Sequence, residues 1–256
     1  MRWHDLLFAH WPIDLKDLRA AIARSYAAST DQWSIAGYDR ARERQSAGEL
    51  SLPQGLEIDT FDGQAYIGVV PFHMTHATGR FLPSVPGLST FAEINLRTYV
   101  TVGGKPGVLF FSLDAASPAA VWAARRWWKL PYFHAYIHFE HHGDAIGYNS
   151  VRTHALSPQA DFVGRYEPAG PVYAAAPGSL DHWLTERYCL YSLAGPAIIR
   201  GEIHHARWPL QPARAEISTN TMALAQGIAL PETPPLLHFT KRLDVLGWAP
   251  EVAAIG

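Results

Sequence analysis

The chain has little cysteine, little charge and no long hydrophobic run. Its 256 residues include one cysteine, Cys189, which excludes a disulfide within the chain and any zinc site built from several cysteines. So little cysteine fits a reducing compartment, and we therefore predict a cytoplasmic protein. The apolar run at 6–9 is too short for the core of a signal peptide or for a membrane span, so neither export nor a membrane location is expected.

The charge balance argues against two classes of partner. Charged residues make up only 17% of the chain, and the formal net charge is -2. Proteins that bind nucleic acid or an anionic membrane usually carry a basic surface, and this composition offers none. We therefore expect a small-molecule ligand rather than either of these partners, and the sequence leaves homo-oligomerisation open.

Apolar and aromatic residues are plentiful. Hydrophobic residues make up 48% of the chain and include nine tryptophans, which is enough to bury a large core and argues against disorder. All-β barrels of this length commonly form one unit, so we predict a single domain over 1–256. The polar, alanine-rich stretch at 24–50 has mixed charges and no clear core stripe, and we interpret it as an exposed insertion.

The local patterns predict mostly strands. The pair Asp62-Gly63 supplies the positive φ angles of a tight turn, so the flanking segments 56–61 and 64–72 are predicted to form a hairpin. Histidine, glycine and proline residues make 73–88 a predicted loop. The overall pattern predicts a mainly β (α+β) protein, an antiparallel, partly closed barrel or strongly bent sheet with a few covering helices.

Two helices have recognisable starts. The first is predicted to begin after Asp14, a plausible N-cap, and to present an apolar stripe from Leu15 to Ile22. The second begins at Ser117-Pro118, because serine caps free amides and proline fits the first helical turn. It is predicted to end before Pro131, since the residue preceding a proline avoids α geometry.

The stretch 91–133 contains most of the candidate functional residues. Side chains alternate between the faces of a strand, so the strand at 91–100 has one apolar face and one polar face. The polar face carries Phe91, Glu93, Asn95, Arg97 and Tyr99. The following strand is apolar on both faces at 108–111, which places this region deep in the fold and favours a polar cavity. An ordinary amphipathic strand with solvated charges is the alternative.

A second polar stripe follows at 132–142. It consists of Tyr132, His134, Tyr136, His138, Glu140 and His142. Alternate positions on a strand lie about 7 Å apart, so these histidines meet at one metal only if the strand bends. The sequence has no HExxH spacing, so we assign no metal and expect the histidines to face solvent beside a turn. Metal-assisted hydrolysis using His138 and His142 remains an alternative.

Several motifs taken together resemble one protein family. They are DLLFAHWPID, LEIDTFDGQAYIGVVPF, FAEINLRTYV, KPGVLFFSLDA, ARRWWKLPYFHA, WLTERYCLY and HHARWPLQPA. In these segments the chain resembles the YqjF-like family of bacterial proteins, a domain of unknown function. That family is similar in turn to the acetoacetate decarboxylase superfamily, whose fold is a mainly antiparallel β barrel with a central cavity.

The resemblance to the decarboxylases implies a set of site residues. Glu93 falls where those enzymes have a strand glutamate, and Arg125 matches the arginine of their glycine-arginine-glutamate helix. Their glycine-aromatic-proline-lysine turn corresponds to 129–132, so that Tyr132 stands where their Schiff-base lysine stands. Only an amine forms the imine used in that decarboxylation, so the resemblance does not carry the reaction over. Lys129 lies three residues earlier, so its side chain points in a different direction. A lysine at the C-terminal end of a helix interacts favourably with the helix dipole.

These observations predict a site for a small anionic or carbonyl-bearing ligand, with no cofactor. We assign catalytic roles to Glu93, Arg125 and Tyr132, and ligand-binding roles to Asn95, Arg97 and His134. Guanidinium groups can clamp a carboxylate, and a tyrosine can hydrogen-bond to a carbonyl or act in proton transfer. Whether the chain is an enzyme stays open, because a non-catalytic carrier or sensor would have the same lining.

Overall fold

The structure is a computed structural model that describes residues 1–31, 34–77 and 89–255. Strands account for most of its regular structure. The strands are β1 (Arg2–Ile13), β2 (Leu56–Ile58), β3 (Ala65–Thr75), β4 (Phe91–Val102), β5 (Lys105–Ala115), β6 (Tyr132–His142), β7 (Ala145–Arg152), β8 (Asp161–Pro168), β9 (Cys189–Ala194), β10 (Ala197–His205), β11 (Gln211–Asn220), β12 (Leu236–Gly247) and β13 (Glu251–Ile255). The α-helices are α1 (Leu15–Ser29), α2 (Ile35–Ser46), α3 (Pro118–Ala123) and α4 (Leu180–Thr185).

The sheet closes into a ring in two ways, and the two rings have five strands in common, which we call the wall. The wall runs β12-β1-β3-β4-β5, with antiparallel neighbours throughout. On the edge opposite β4, strand β5 pairs in parallel with both β9 and β6, at different points along its length. Strand β12 likewise pairs with both β10 and β11. The ring therefore closes once through β9 and β10 and once through β6, β7, β8 and β11, which confirms the predicted partly closed barrel.

The wall buries both of its faces. One face carries the aliphatic side chains of β1, β3 and β4, such as Leu7, Ile67 and Ile94, and packs against α1 and the aromatic side chains of β7 and β8. The other face carries the aromatic residues Phe8, Phe72 and Tyr99. Because strand residues alternate, this second face also receives the polar side chains of β4. The strand at 91–100 is therefore buried on both sides, as the apolar neighbouring strand predicted.

The helix starts agree with the sequence patterns. The Asp14 carboxylate accepts hydrogen bonds from the main-chain N–H groups of Lys16 and Asp17, and the Ser117 hydroxyl accepts one from Ala120. Helix α3 continues into a π-helical turn at Ala124–Trp128 and ends at Lys129, whose φ is +53°. No helix among the described residues is both long enough and apolar enough to cross a bilayer.

The predicted hairpin at the Asp62-Gly63 turn is only partly correct. Both turn residues have positive φ, and Phe61 pairs with Gln64 across the turn. Strand β2, however, pairs with β4 rather than with β3. The turn can be recognised from the sequence, because it depends on adjacent residues. The strand with which β2 pairs depends on where β4, distant in sequence, lies in the fold.

Two other segments differ in part from their predicted structure. Strand β3 extends to Thr75, so 73–75 is strand rather than loop, while the part of that predicted loop at 78–88 lies outside the described residues. In the stretch predicted as an insertion, α1 continues to Ser29 and α2 packs through Tyr38. The Tyr38 hydroxyl donates to Gln226 Oε1 at 2.6 Å. The helices of this segment thus lie against the body of the domain, and its status as an insertion stays a prediction.

Candidate functional site

A buried tyrosine–glutamate pair lies at the centre of the candidate site. The Tyr132 hydroxyl donates to Glu93 Oε2 at 2.6 Å, and the two residues are 8% and 2% exposed. The strand registers explain why they meet. Leu113 of β5 pairs with Asn95 of β4 on one side and with Tyr132 of β6 on the other. Tyr132 is therefore in register with Asn95, and Glu93 is two residues from Asn95 along β4.

Burial controls the protonation of this pair. It raises the pKa of Glu93 to about 7, although the hydrogen bonds from Tyr132 and Asn95 partly oppose the shift. Burial, together with the Glu93 charge, raises the pKa of Tyr132 well above its ordinary value. Within the described ranges no Arg, Lys or His forms an ion pair with Glu93. Near neutral pH the carboxyl group can therefore both accept and release a proton, while the phenol stays protonated.

The backbone around Tyr132 is fixed from several directions. The Pro131 carbonyl accepts a hydrogen bond from the Leu113 main-chain N–H at 3.0 Å. Arg125 Nη1 donates to the Tyr132 carbonyl at 2.7 Å. On the partner side, the Tyr148 hydroxyl donates to the Glu93 carbonyl at 2.8 Å. These hydrogen bonds hold the main chain at both residues of the pair.

Arg97 lies further along the same face and is a buried guanidinium group. Its guanidinium carbon lies 5.0 Å from the centre of the Phe8 ring, and its Nε has no hydrogen-bond partner. Burial lowers the pKa of Arg97, while Tyr99 opposes that shift. No acid lies within 4.0 Å of this guanidinium in the part of the chain that the structure describes. The segments outside it, 32–33, 78–88 and 256, contain no aspartate or glutamate.

A histidine and a tyrosine flank Arg97. The Tyr99 hydroxyl donates its only proton to the Leu184 carbonyl at 2.7 Å, and it also lies 2.7 Å from His10 Nε2. His10 must therefore donate from Nε2, which leaves its Nδ1 as a buried acceptor without a partner. Burial, with Arg97 nearby, lowers the pKa of His10 well below its ordinary value, so this ring is neutral. Gly68 makes the arrangement possible, because a Cβ there would lie 2.8 Å from the His10 ring.

The structure divides the predicted site residues into two groups. Glu93, Asn95 and Arg97 lie on the face of the wall that carries Phe8, Phe72 and Tyr99. Tyr132 of β6 packs against this face and contacts Glu93. The other two, Arg125 and His134, line a groove of about 720 Å³ next to the π-helical turn. Arg125 Nη1 donates to the Tyr132 carbonyl, and His134 Nδ1 lies 3.0 Å from the Thr153 hydroxyl.

The histidine stripe of β6 faces outward. The side chains of His138, Glu140 and His142 are each more than half exposed, and both histidines contact the glutamate. His205 is instead buried, with its ring stacked on Tyr188. Across 1–31, 34–77 and 89–255, no group of three histidine, cysteine, aspartate or glutamate residues is arranged to hold a metal ion.

Sequence reasoning missed His10, Asp114 and Arg152. Asp114 and Arg152 form a fully buried ion pair with two contacts of 2.7 Å. A signal for His10 and Asp114 exists in the sequence, because each is the one ionisable residue of a largely apolar run, 6–13 in β1 and 106–115 in β5. Their partners come from distant segments, and no local pattern identifies those.

Comparisons of the sequence with known proteins identify its family. Residues 45–244 match the model of the DUF2071 family, described as an uncharacterized conserved protein. The chain is 44% identical over 246 residues to the uncharacterized protein YqjF of Bacillus subtilis (strain 168), covering 96% of this chain and 88% of that protein.

Solved structures show the same architecture at low identity. One is the acetoacetate decarboxylase of Legionella pneumophila, with a TM-score of 0.57, 14% identity and coverage of 99% of this chain and 87% of that chain. Another is the enduracididine biosynthesis enzyme MppR complexed with pyruvate, with a TM-score of 0.58, 11% identity and coverage of 100% and 91%. From the family match and the relative in Bacillus, the chain belongs to the YqjF-like DUF2071 family and has an acetoacetate decarboxylase-like fold.

Proposed function

We propose that this protein binds a small carbonyl-bearing organic acid next to the Glu93–Tyr132 pair and moves a proton on it. The observation that carries the proposal is the 2.6 Å hydrogen bond between these buried side chains, with the pKa of Glu93 raised to about 7. Groups with a pKa near the working pH are the most effective in general acid–base catalysis. An MppR structure contains pyruvate, which is an acid of this class.

Arg97 supports the choice of an anionic ligand. A buried guanidinium group without a carboxylate partner is costly, because it loses hydration and gains no opposite charge. A ligand carboxylate would supply that charge and accept a hydrogen bond from the unpartnered Nε. Arg97 lies four residues from Glu93 along one strand, roughly 13 Å at the main chain, so both side chains must lean towards a shared ligand.

The proton transfer follows from the pair. Ionised Glu93 takes a proton from the carbon next to the ligand carbonyl, and the electron pair of the broken C–H bond moves onto the carbonyl oxygen. Protonation removes the negative charge of Glu93 and makes it a weaker acceptor than the enolate oxygen, so the Tyr132 phenol can turn and donate to that oxygen. The reverse transfer returns the proton to carbon. The cycle is an enolisation and uses no covalent intermediate.

Schiff-base decarboxylation is not part of the proposal. The resemblance to the decarboxylases implies that Tyr132 stands where they have the lysine, and a phenol cannot form an imine. Lys129 lines the outer groove rather than the buried face. Treatment with borohydride and a panel of keto acids should leave the protein mass unchanged, and a stable adduct on Lys129 would contradict this part of the proposal.

Two measurements test the proposal in turn. A thermal-shift screen of small keto and hydroxy acids should give hits, because a ligand that binds only the folded state stabilises it. Arg97→Met should abolish the shifts. Proton exchange is then followed as the loss of the pyruvate methyl signal by ¹H NMR in D₂O; the wild type should accelerate it, and Glu93→Gln should not.

A carrier or sensor gives a different result from an enzyme in these tests. It would show thermal shifts that depend on Arg97 but no acceleration of exchange, which would reject the proton-transfer step and keep the binding site. If Arg97→Met and Tyr132→Phe both leave every shift intact, the proposed lining is wrong. The proposal also keeps the expectation of a cytoplasmic protein, and it leaves self-association to be measured by size-exclusion chromatography with light scattering.

A further inference from the structure

The groove beside the π-helical turn is a cavity of about 720 Å³, and half of its lining residues have a nitrogen-bearing side chain. Its cationic residues come from one short segment that contains the π-helical turn and its end. The nitrogen-bearing side chains of the lining are Arg125, Arg126, Lys129, His134, His154 and Trp122. The rest of the lining comes from Pro118 and Val121 of α3, from the end of α1 and from the turn between β9 and β10.

The lining is positively charged and contains no aspartate or glutamate among the described residues. Burial, together with Arg125, Arg152 and His134, lowers the pKa of His154 to about 4. The ring is therefore neutral, and its Nδ1 accepts the His134 main-chain N–H at 3.2 Å, so its proton lies on Nε2. The groove thus combines three cations with a neutral histidine that is itself a donor.

The backbone supports a role for the Lys129 side chain. Its φ of +53° lies in the left-handed region, which glycine adopts without steric strain and which is unfavourable for lysine. Left-handed non-glycine residues and π-helical turns both occur often at functional sites, where the strain is retained for the position it gives a side chain. Here both occur side by side and place Lys129 beside Arg125 and Arg126.

We propose that this groove binds a small organic anion that carries two or more negative charges on carboxylate or phosphate groups. The cations on one rim supply the charge complement, and the exposed Trp122 supplies an apolar wall for the body of the ligand. The groove is distinct from the Glu93–Tyr132 pair. The proposal therefore does not depend on the function proposed above.

Isothermal titration calorimetry with citrate and with pyrophosphate, at low salt, tests this proposal. Citrate represents the carboxylate source and pyrophosphate the phosphate source. At least one of them should bind to the wild type, and affinity should fall as salt is added, since the contacts are electrostatic. Arg126→Gln and Lys129→Gln should each weaken binding about tenfold, the loss of one charge-assisted contact.

Matched controls separate this site from general charge effects. Lys16→Gln and Arg19→Gln remove exposed cations of α1 outside the groove and should leave the affinity unchanged. Lys129→Gly should weaken binding as much as Lys129→Gln without lowering the melting temperature, because glycine relieves the left-handed conformation. Tyr132→Phe should leave groove binding unchanged, whatever its effect on the buried site. If neither anion binds, or if the groove variants bind as tightly as the controls, the proposal is wrong.

Discussion

Both faces of the five-stranded wall bury charged side chains, but these side chains form an ion pair on one face and not on the other. On one face Asp114 and Arg152 make a bidentate ion pair whose side chains are fully buried. On the other face Glu93 has a phenol and an amide as partners, and Arg97 has no acid at all among the described residues. Glu93 and Arg97 carry opposite charges on one strand, and they do not pair.

This difference separates a structural ion pair from a candidate ligand site. A buried pair that is fully hydrogen-bonded needs nothing further, and the loss of either member strands the other. Charges that are buried and left apart cost stability in the free protein, and such costs occur where a ligand or a reaction uses them. We therefore expect substitutions of charged residues to lower stability on the first face and to leave it unchanged or raise it on the second.

The largest expected effect is on the paired face. Asp114→Asn leaves the Arg152 charge buried without its anion, so the free energy of unfolding should fall by about 3–5 kcal/mol. Urea denaturation monitored by tryptophan fluorescence measures it. The exposed pair of Arg2 and Asp244 provides the control, because Asp244→Asn should change stability far less. Equal effects in the two variants would mean that the Asp114 pair is not the structural element described here.

The second effect is a pH dependence on the other face. Folding raises the pKa of Glu93 to about 7, so between about pH 4.5 and 7 the folded state binds a proton that the unfolded state has released. The contribution of Glu93 to the free energy of unfolding is therefore greatest below this pH range. As the pH rises through the range, that free energy falls by about 3 kcal/mol in all.

Glu93→Gln isolates that contribution. The difference in unfolding free energy between the variant and the wild type should grow in favour of the variant from pH 5 to pH 7.5. Comparing the two proteins at each pH cancels the histidines, which titrate in both. A difference that stays constant across this range would show that the pKa of Glu93 is not raised.

The smallest effect concerns Arg97. Arg97→Met replaces a buried, unpaired charge by an apolar chain of similar length, so stability should stay constant or increase by about 1 kcal/mol. Thermal and urea unfolding without ligand measure this change. A loss as large as that of Asp114→Asn would mean that Arg97 has a structural partner, and the contrast between the two faces would fail.

The predictable part of the fold comes from local patterns. Alternation along 91–100 predicted both faces of β4, and the Asp14 and Ser117 caps predicted where α1 and α3 begin. Each of these features depends on residues within a few positions of one another. Where pairing depended on distant strands the sequence was insufficient, as for β2, which joins β4 instead of completing a hairpin.

The candidate site shows the same limit. The resemblance placed Glu93 and Tyr132 in one site, and the structure brings their side chains into contact. It could not show that Arg125 and His134 turn towards the outer groove, because the direction of a side chain next to a π-helical turn depends on the turn itself. His10 was missed because its partner Tyr99 lies on another strand.

We propose that Glu93 and Arg97, which share one face without pairing, belong to one ligand site. The most direct measurement is a crystal structure of the protein soaked with the best small carboxylate from the thermal-shift screen. A ligand carboxylate oxygen should lie about 2.7–2.9 Å from the Arg97 guanidinium, with the rest of the ligand extending towards Tyr132. A ligand bound only elsewhere, with Arg97 and Glu93 unchanged and untouched, would contradict the claim.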